Sequence, residues 1–83
     1  MNFVAKVEVT LKSGLSDPEG QASAAALKRL GYEVDKVQVG KTYFISLRSE
    51  SLGEVRKQLD EMCTRLLANP IKDDYKIEVD NLK

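Results

Sequence analysis

Few side chains in this chain could do chemistry. Its 83 residues hold no histidine, which removes the commonest general base and the commonest metal ligand together. The single cysteine, Cys63, could serve as a nucleophile or a redox thiol. It has neither a histidine to activate it nor a second cysteine at C-x-x-C spacing. It also falls inside an apolar helical stripe, so it reads as a small buried hydrophobe. Zinc would find one soft ligand and only carboxylates beside it. Two acidic pairs, Asp60-Glu61 and Asp73-Asp74, invite comparison with an acid–base dyad. Neighbouring residues of a helix project about 100° apart, so Asp60 and Glu61 do not converge. Asp73-Asp74 falls in a loop ahead of a strand, where it solvates the turn. Ser13 to Gly20 leads into a helix N-terminus, an end whose free amides can hold an anion. Asp17 at the cap already occupies those donors and repels phosphate, and neither G-x-G-x-x-G nor P-loop spacing is present. These residues imply a chain with no catalytic centre, metal site or cofactor site of its own.

Composition narrows the classes further. The chain is 42% hydrophobic and 31% charged, the balance of an ordinary globular protein, and its length suits one domain over residues 1–83. Thirteen Lys and Arg balance thirteen Asp and Glu. The basic footprint expected of a nucleic-acid or anionic-membrane binder is missing. No apolar run approaches the roughly 20 residues that span a bilayer. Met1-Asn2-Phe3-Val4-Ala5-Lys6 lacks the charged and long apolar regions of a signal peptide. One cysteine excludes an internal disulfide, and the expected compartment is the cytoplasm. A core this small supplies on the order of 3–5 kcal/mol, and self-association is a common way to add buried area.

The elements that would position these residues follow from periodicity. Phe3, Ala5, Val7, Val9 and Leu11 alternate with Lys6, Glu8, Thr10 and Lys12, a strand with one buried face. Ser13-Gly14-Leu15-Ser16 is a turn. Asp17 as N-cap, Pro18 at the first helical position and Glu19 in the first turn start a helix. It runs through Leu30 to Gly31, with small Ala22 and Ala26 in its interior. Val34, Val37 and Val39 predict a second strand. Gly40-Lys41 breaks it, and Tyr43, Ile45 and Leu47 predict a third, paired as a hairpin with the second. Ser51 and Glu54 have capping-box spacing, and the helix they open carries Leu52, Val55, Leu59, Met62, Cys63 and Leu66 to the bend at Ala68-Asn69-Pro70. Tyr75, Ile77 and Val79 predict a fourth strand. The order β-α-β-β-α-β predicts a ferredoxin-like α+β fold: a four-stranded antiparallel sheet with two helices on one face. The other face would show Lys6, Glu8, Thr10, Thr42, Phe44, Ser46, Arg48, Lys76 and Glu78. One aromatic in a polar field is no base-stacking platform, so nucleic acid is not an expected partner, and neither is membrane.

Several segments at element boundaries resemble one family. They are Leu11-Lys12-Ser13-Gly14-Leu15-Ser16-Asp17-Pro18-Glu19-Gly20, Ala26-Leu27 with Leu30-Gly31, and Val37-Gln38-Val39-Gly40-Lys41. Met62-Cys63 leading to Leu66-Leu67-Ala68-Asn69-Pro70, and Asp74-Tyr75 with Ile77-Glu78-Val79, complete the set. Together they resemble PurS, the small subunit of phosphoribosylformylglycinamidine synthase, over nearly the whole chain from Val4 to Val79. Gln38 stands where the family often has a basic residue, and Ile71 where it often has valine. The resemblance implies an accessory role in purine biosynthesis. Formylglycinamide ribonucleotide, glutamine and ATP become formylglycinamidine ribonucleotide on partner subunits: a glutaminase that releases ammonia, and a large ligase that binds ATP and magnesium. PurS-like subunits are expected to carry neither activity, to form dimers, to bridge the two partners and to help confine ammonia. Confinement asks for a path closed to water, which is a packing task.

The segments that combine rigid turn chemistry with no reactive group are the expected interface with self or partner: Asp17, Pro18 and Gly20, then Gly40 and Lys41, then Asn69 and Pro70. Asp17 also has a plain role as a helix cap. The competing class is a free-standing ACT-like regulatory module of the same topology, with a small molecule bound near Gly14 to Gly20. An acylphosphatase-like enzyme would need an arginine in its phosphate loop, and Lys12 to Asp17 holds none. A metal chaperone would need a cysteine pair.

Overall fold

The computed structural model describes residues 1–82. Its elements are β1 (Asn2–Leu11), α1 (Pro18–Arg29), β2 (Gly40–Arg48), α2 (Leu52–Met62), a π-helical turn (Cys63–Leu67) and β3 (Asp73–Leu82). β1 lies in the middle of a three-stranded sheet of order β2-β1-β3, antiparallel to both neighbours. Phe3 faces Leu47, Ala5 faces Ile45 and Val79, and Val7 faces Tyr43 and Ile77. These rows point one way because the side-chain period of a strand is two.

The core is that face of β1 beneath α2. Phe3, Ala5, Val7 and Val9 are buried with Val55, Leu59, Cys63 and Ala68. Tyr43, Ile45, Leu47, Tyr75, Ile77 and Val79 pack against them half-buried. Val55, Leu59 and Cys63 recur every four residues, so one stripe of the helix meets the sheet. α2 starts as its sequence predicts, with the Glu54 amide donating to Ser51 Oγ at 3.2 Å.

Four expectations are corrected. The sheet has three strands rather than four, because Val34 to Val39 forms no strand and bends at Asp35, and β2 starts at Gly40. The expected hairpin between the Val34–Val39 stretch and the Tyr43–Leu47 strand does not form at Gly40-Lys41; β2 pairs with β1 alone. The alternation of valines marks a segment able to pair, but a strand exists only where a partner edge meets it. Only one helix covers the sheet. α1 contributes no side chain to the core, and Gly20 is its sole buried residue. The described molecule is correspondingly long and thin, 51 × 29 × 14 Å. The second helix also does not remain α-helical to Leu67. The Ala68 amide reaches back to the Cys63 carbonyl at 2.9 Å, a five-residue step that widens the last turn.

Candidate functional site

The boundary segments meet at one end of the sheet. There the start of α1, the start of β2, and the stretch from the π-turn into β3 enclose a cleft of about 590 Å³. Of the seven residues singled out from the sequence, Asp17, Pro18, Gly40 and Lys41 line it. Val9 and Leu67 supply apolar wall, and Lys72 and Asp73 supply charge. Gly20, Asn69 and Pro70 are not among the lining residues. Gly20 donates its amide to Asp17, and Asn69 is tied to the wall through Asp73.

Asp17 organises this end. One carboxylate oxygen accepts from the Gly20 amide at 2.9 Å, the predicted cap. The other accepts from the Val39 amide at 3.0 Å. The side chain therefore fastens the first turn of α1 to the residue just before β2. These two amides, Val39 foremost, hold the Asp17 carboxyl below its ordinary value. Gly20 fits by having no side chain: a Cβ there would lie 2.2 Å from the Val37 carbonyl oxygen. The Gln38 side-chain amide donates to the Leu11 carbonyl at 3.3 Å, joining the same linker to the end of β1.

The opposite wall is a tight turn built on Asn69. Its side-chain oxygen accepts from the Ile71 amide at 2.9 Å. Its carbonyl accepts from the Asp73 amide at 2.8 Å, and its own amide donates to Asp73 Oδ2 at 2.9 Å. The Lys12 amide donates to the Lys72 carbonyl at 2.8 Å, and Lys12 Nζ pairs with Asp74 at 2.8 Å. Pro70 and Ile71 project from this turn, with Ile71 85% exposed. Sequence reasoning read Val9 as a core position and weighed Asp73 with Asp74 as an acidic pair in a loop; the structure places both aspartates at the start of β3 instead. The pattern Asn-Pro-x-x-Asp, with an acceptor returning to the Asn69 amide, was the signal available for Asp73.

The remaining reactive groups lie elsewhere. Cys63 is fully buried, and burial pushes its thiol pKa up, with Asp60 adding to the effect. That is the opposite of an activated thiolate. Tyr75 donates its hydroxyl to Asp60, joining β3 to α2. This hydrogen bond is the main reason its phenol is pushed up to about 12. On the open face Lys6 pairs with Glu8 at 2.9 Å, and the register places Glu78 beside Lys6 and Lys76 beside Glu8. This charge lattice neutralises itself, and Phe44 stands out of it at 73% exposed. Among the described residues no group of three or more candidate ligands could hold a metal, and no helix is long and apolar enough to cross a membrane.

Comparison with known proteins decides the family. The model described as PurS, phosphoribosylformylglycinamidine (FGAM) synthase, matches residues 4–81. The chain belongs to the PurS family. The PurS subunit of this synthase from Archaeoglobus fulgidus is 41% identical over 76 residues, covering 90% of this chain and 95% of the relative. The crystal structure of Methanocaldococcus jannaschii PurS is 38% identical, with a TM-score of 0.87 over 98% of this chain and 99% of that one. It is described as one of the subunits of formylglycinamide ribonucleotide amidotransferase in the purine biosynthetic pathway. Thermus thermophilus PurS is 36% identical, with a TM-score of 0.89 over the full length of both chains. The α+β arrangement of two helices and a sheet is thus shared with PurS structures.

Proposed function

We propose that this chain is the accessory PurS subunit of a phosphoribosylformylglycinamidine synthase and works without a catalytic group of its own. It associates with itself, joins a glutaminase to a large ATP- and magnesium-dependent ligase in the cytoplasm, and helps keep ammonia from solvent between them. The observation that carries this reading is family membership along residues 4–81, with relatives matched over nearly their whole length. Two features of the molecule support the accessory role. The chain has no histidine, and its one thiol is buried with a raised pKa. Its unusual surfaces are also fastened turns, at Asp17 and at Asn69, whose polar groups are consumed in holding the backbone. Rigid turns present a fixed shape at little ordering cost on binding. The cleft between them, with Lys41 and Lys72 against Asp17 and Asp73, is the proposed partner surface.

The test is reconstitution with the two partner subunits, assayed with glutamine and separately with ammonium as nitrogen donor. Omitting this chain should depress glutamine-driven turnover far more than ammonia-driven turnover. Equal loss from both, or failure to co-purify with either partner, would overturn the proposal. Asn69→Ala and Asp17→Ala variants that remain folded should bind the ligase more weakly. Unchanged binding removes the cleft from the interface.

A further inference from the structure

Two turns meet at one end of the sheet and lock together: the one built on Asn69 and the one at Ser13 to Leu15. The Lys12 amide donates to the Lys72 carbonyl at 2.8 Å, the Lys72 amide to the Asn69 carbonyl at 3.2 Å, and the Leu15 amide to the Lys12 carbonyl at 3.3 Å. Asn69 Oδ1 holds the Ile71 amide at 2.9 Å, and Lys12 Nζ closes on Asp74 at 2.8 Å. This fastened tip shows apolar side chains to solvent. Ile71 is 85% exposed and Leu15 47%, and Pro70 is exposed beside Ile71. An exposed isoleucine is ordinary on any surface. Here the backbone that carries it is fixed in advance, so covering it costs little ordering.

The charges beside the tip are unevenly committed. Lys41 and Lys72 line the adjoining cleft and make no ion pair among the described residues. The acids are mostly engaged: Asp17 accepts from the Gly20 and Val39 amides, Asp73 accepts from the Asn69 amide, and Asp74 pairs with Lys12. Of the acids lining the cleft, Glu19 alone has no such bond among the described residues. We propose that Ile71 anchors this chain on a different protein. It enters an apolar socket of the partner, and Lys72 beside it pairs with a carboxylate on the socket's rim. The occupant is a non-identical chain for two reasons. A two-fold axis sets a patch against itself, so a second copy would put tip against tip and like charges together. The apolar groove that this chain itself offers, about 390 Å³ walled by Ile45, Met62, Leu66 and Leu67, would take a tip only head to tail. Such a contact builds rings or filaments of one chain rather than a bridge to another protein. This inference rests on the partner role proposed above and names its anchor and the chemistry of the surface that receives it.

The test measures binding of the full-length chain to the purified ligase, to the purified glutaminase and to the two together. In at least one of these, Ile71→Ala and Ile71→Asp should weaken binding roughly tenfold or more, and Ile71→Val should keep it, as an apolar anchor requires. Lys72→Glu should weaken the same complex and Lys72→Arg should not. Added salt should cost the wild-type complex more affinity than the Lys72→Gln complex. Both side chains are exposed, so the circular dichroism spectrum should not change, and the chain alone should sediment as wild type. If the wild-type chain binds and Ile71→Asp binds as tightly in every mixture, the anchor is overturned and the accessory role stands. Altered sedimentation of Ile71→Asp alone would make the tip a contact between copies, which also overturns the anchor. A wild-type chain that binds neither protein overturns the accessory role as well.

Discussion

Asp17 was legible in the sequence only in part. An acidic residue before proline reads as a helix cap because capping is local: donor and acceptor lie three positions apart. Its second bond, to Val39, spans 22 positions and depends on where the linker returns. The carboxylate's lowered pKa gives that bond a pH signature. Its contribution is complete above the ordinary carboxylate value near 3.8 and fades as pH falls through the lower folded value. Hydrogen exchange at the Val39 amide, corrected for intrinsic rate, should therefore show weaker protection at pH 3 than at pH 6. Equal protection would show that the clip does not depend on charge. Gly20 gives a second residue-scale prediction. Alanine improves helix propensity by about 1 kcal/mol, yet its Cβ would meet the Val37 carbonyl, and such overpacking costs roughly 1–3 kcal/mol. Gly20→Ala should lower stability in urea titration; a rise would mean that the linker yields easily.

The elements that read correctly were those whose partner faces the same core from a single stripe. β1 and α2 were legible because each repeats apolar residues at its own period. Their contact carries the stability of the molecule, so Leu59→Ala should cost about 2–5 kcal/mol in chemical denaturation. A change below 1 kcal/mol would place the core elsewhere. The link from Tyr75 to Asp60 ties β3 to that helix and titrates in alkali. Its folded pKa is raised from 10.0 to about 12. Its contribution is therefore intact below pH 10 and lost as pH rises through 12. Tyr75→Phe should flatten the fall in stability across that window. The π-turn escaped notice because Cys63, Leu66 and Leu67 keep an apolar helical pattern. The extra residue per turn shows only in the Ala68 amide reaching Cys63.

At the scale of the molecule, a core of eight buried hydrophobic residues among those described holds together a body 14 Å thick and 51 Å long. Such a core is marginal by itself. If copies associate as proposed, the apparent Tm rises with protein concentration because binding favours the folded state. A Tm constant over a hundredfold dilution would show that the single copy is self-sufficient.

Alternation and helical period showed which stretches are able to form strands or helices, and which side of each is apolar. The missing histidine and the buried setting expected for Cys63 were likewise readable from residue types alone. The three-strand sheet, the displacement of α1 and the meeting of Asp17, Lys41 and Lys72 at one cleft were decided only in three dimensions. The physical reason is that a period states which face must be buried but not what buries it. Val34, Val37 and Val39 have the chemistry of a strand, and only the position of another edge decides whether they become one.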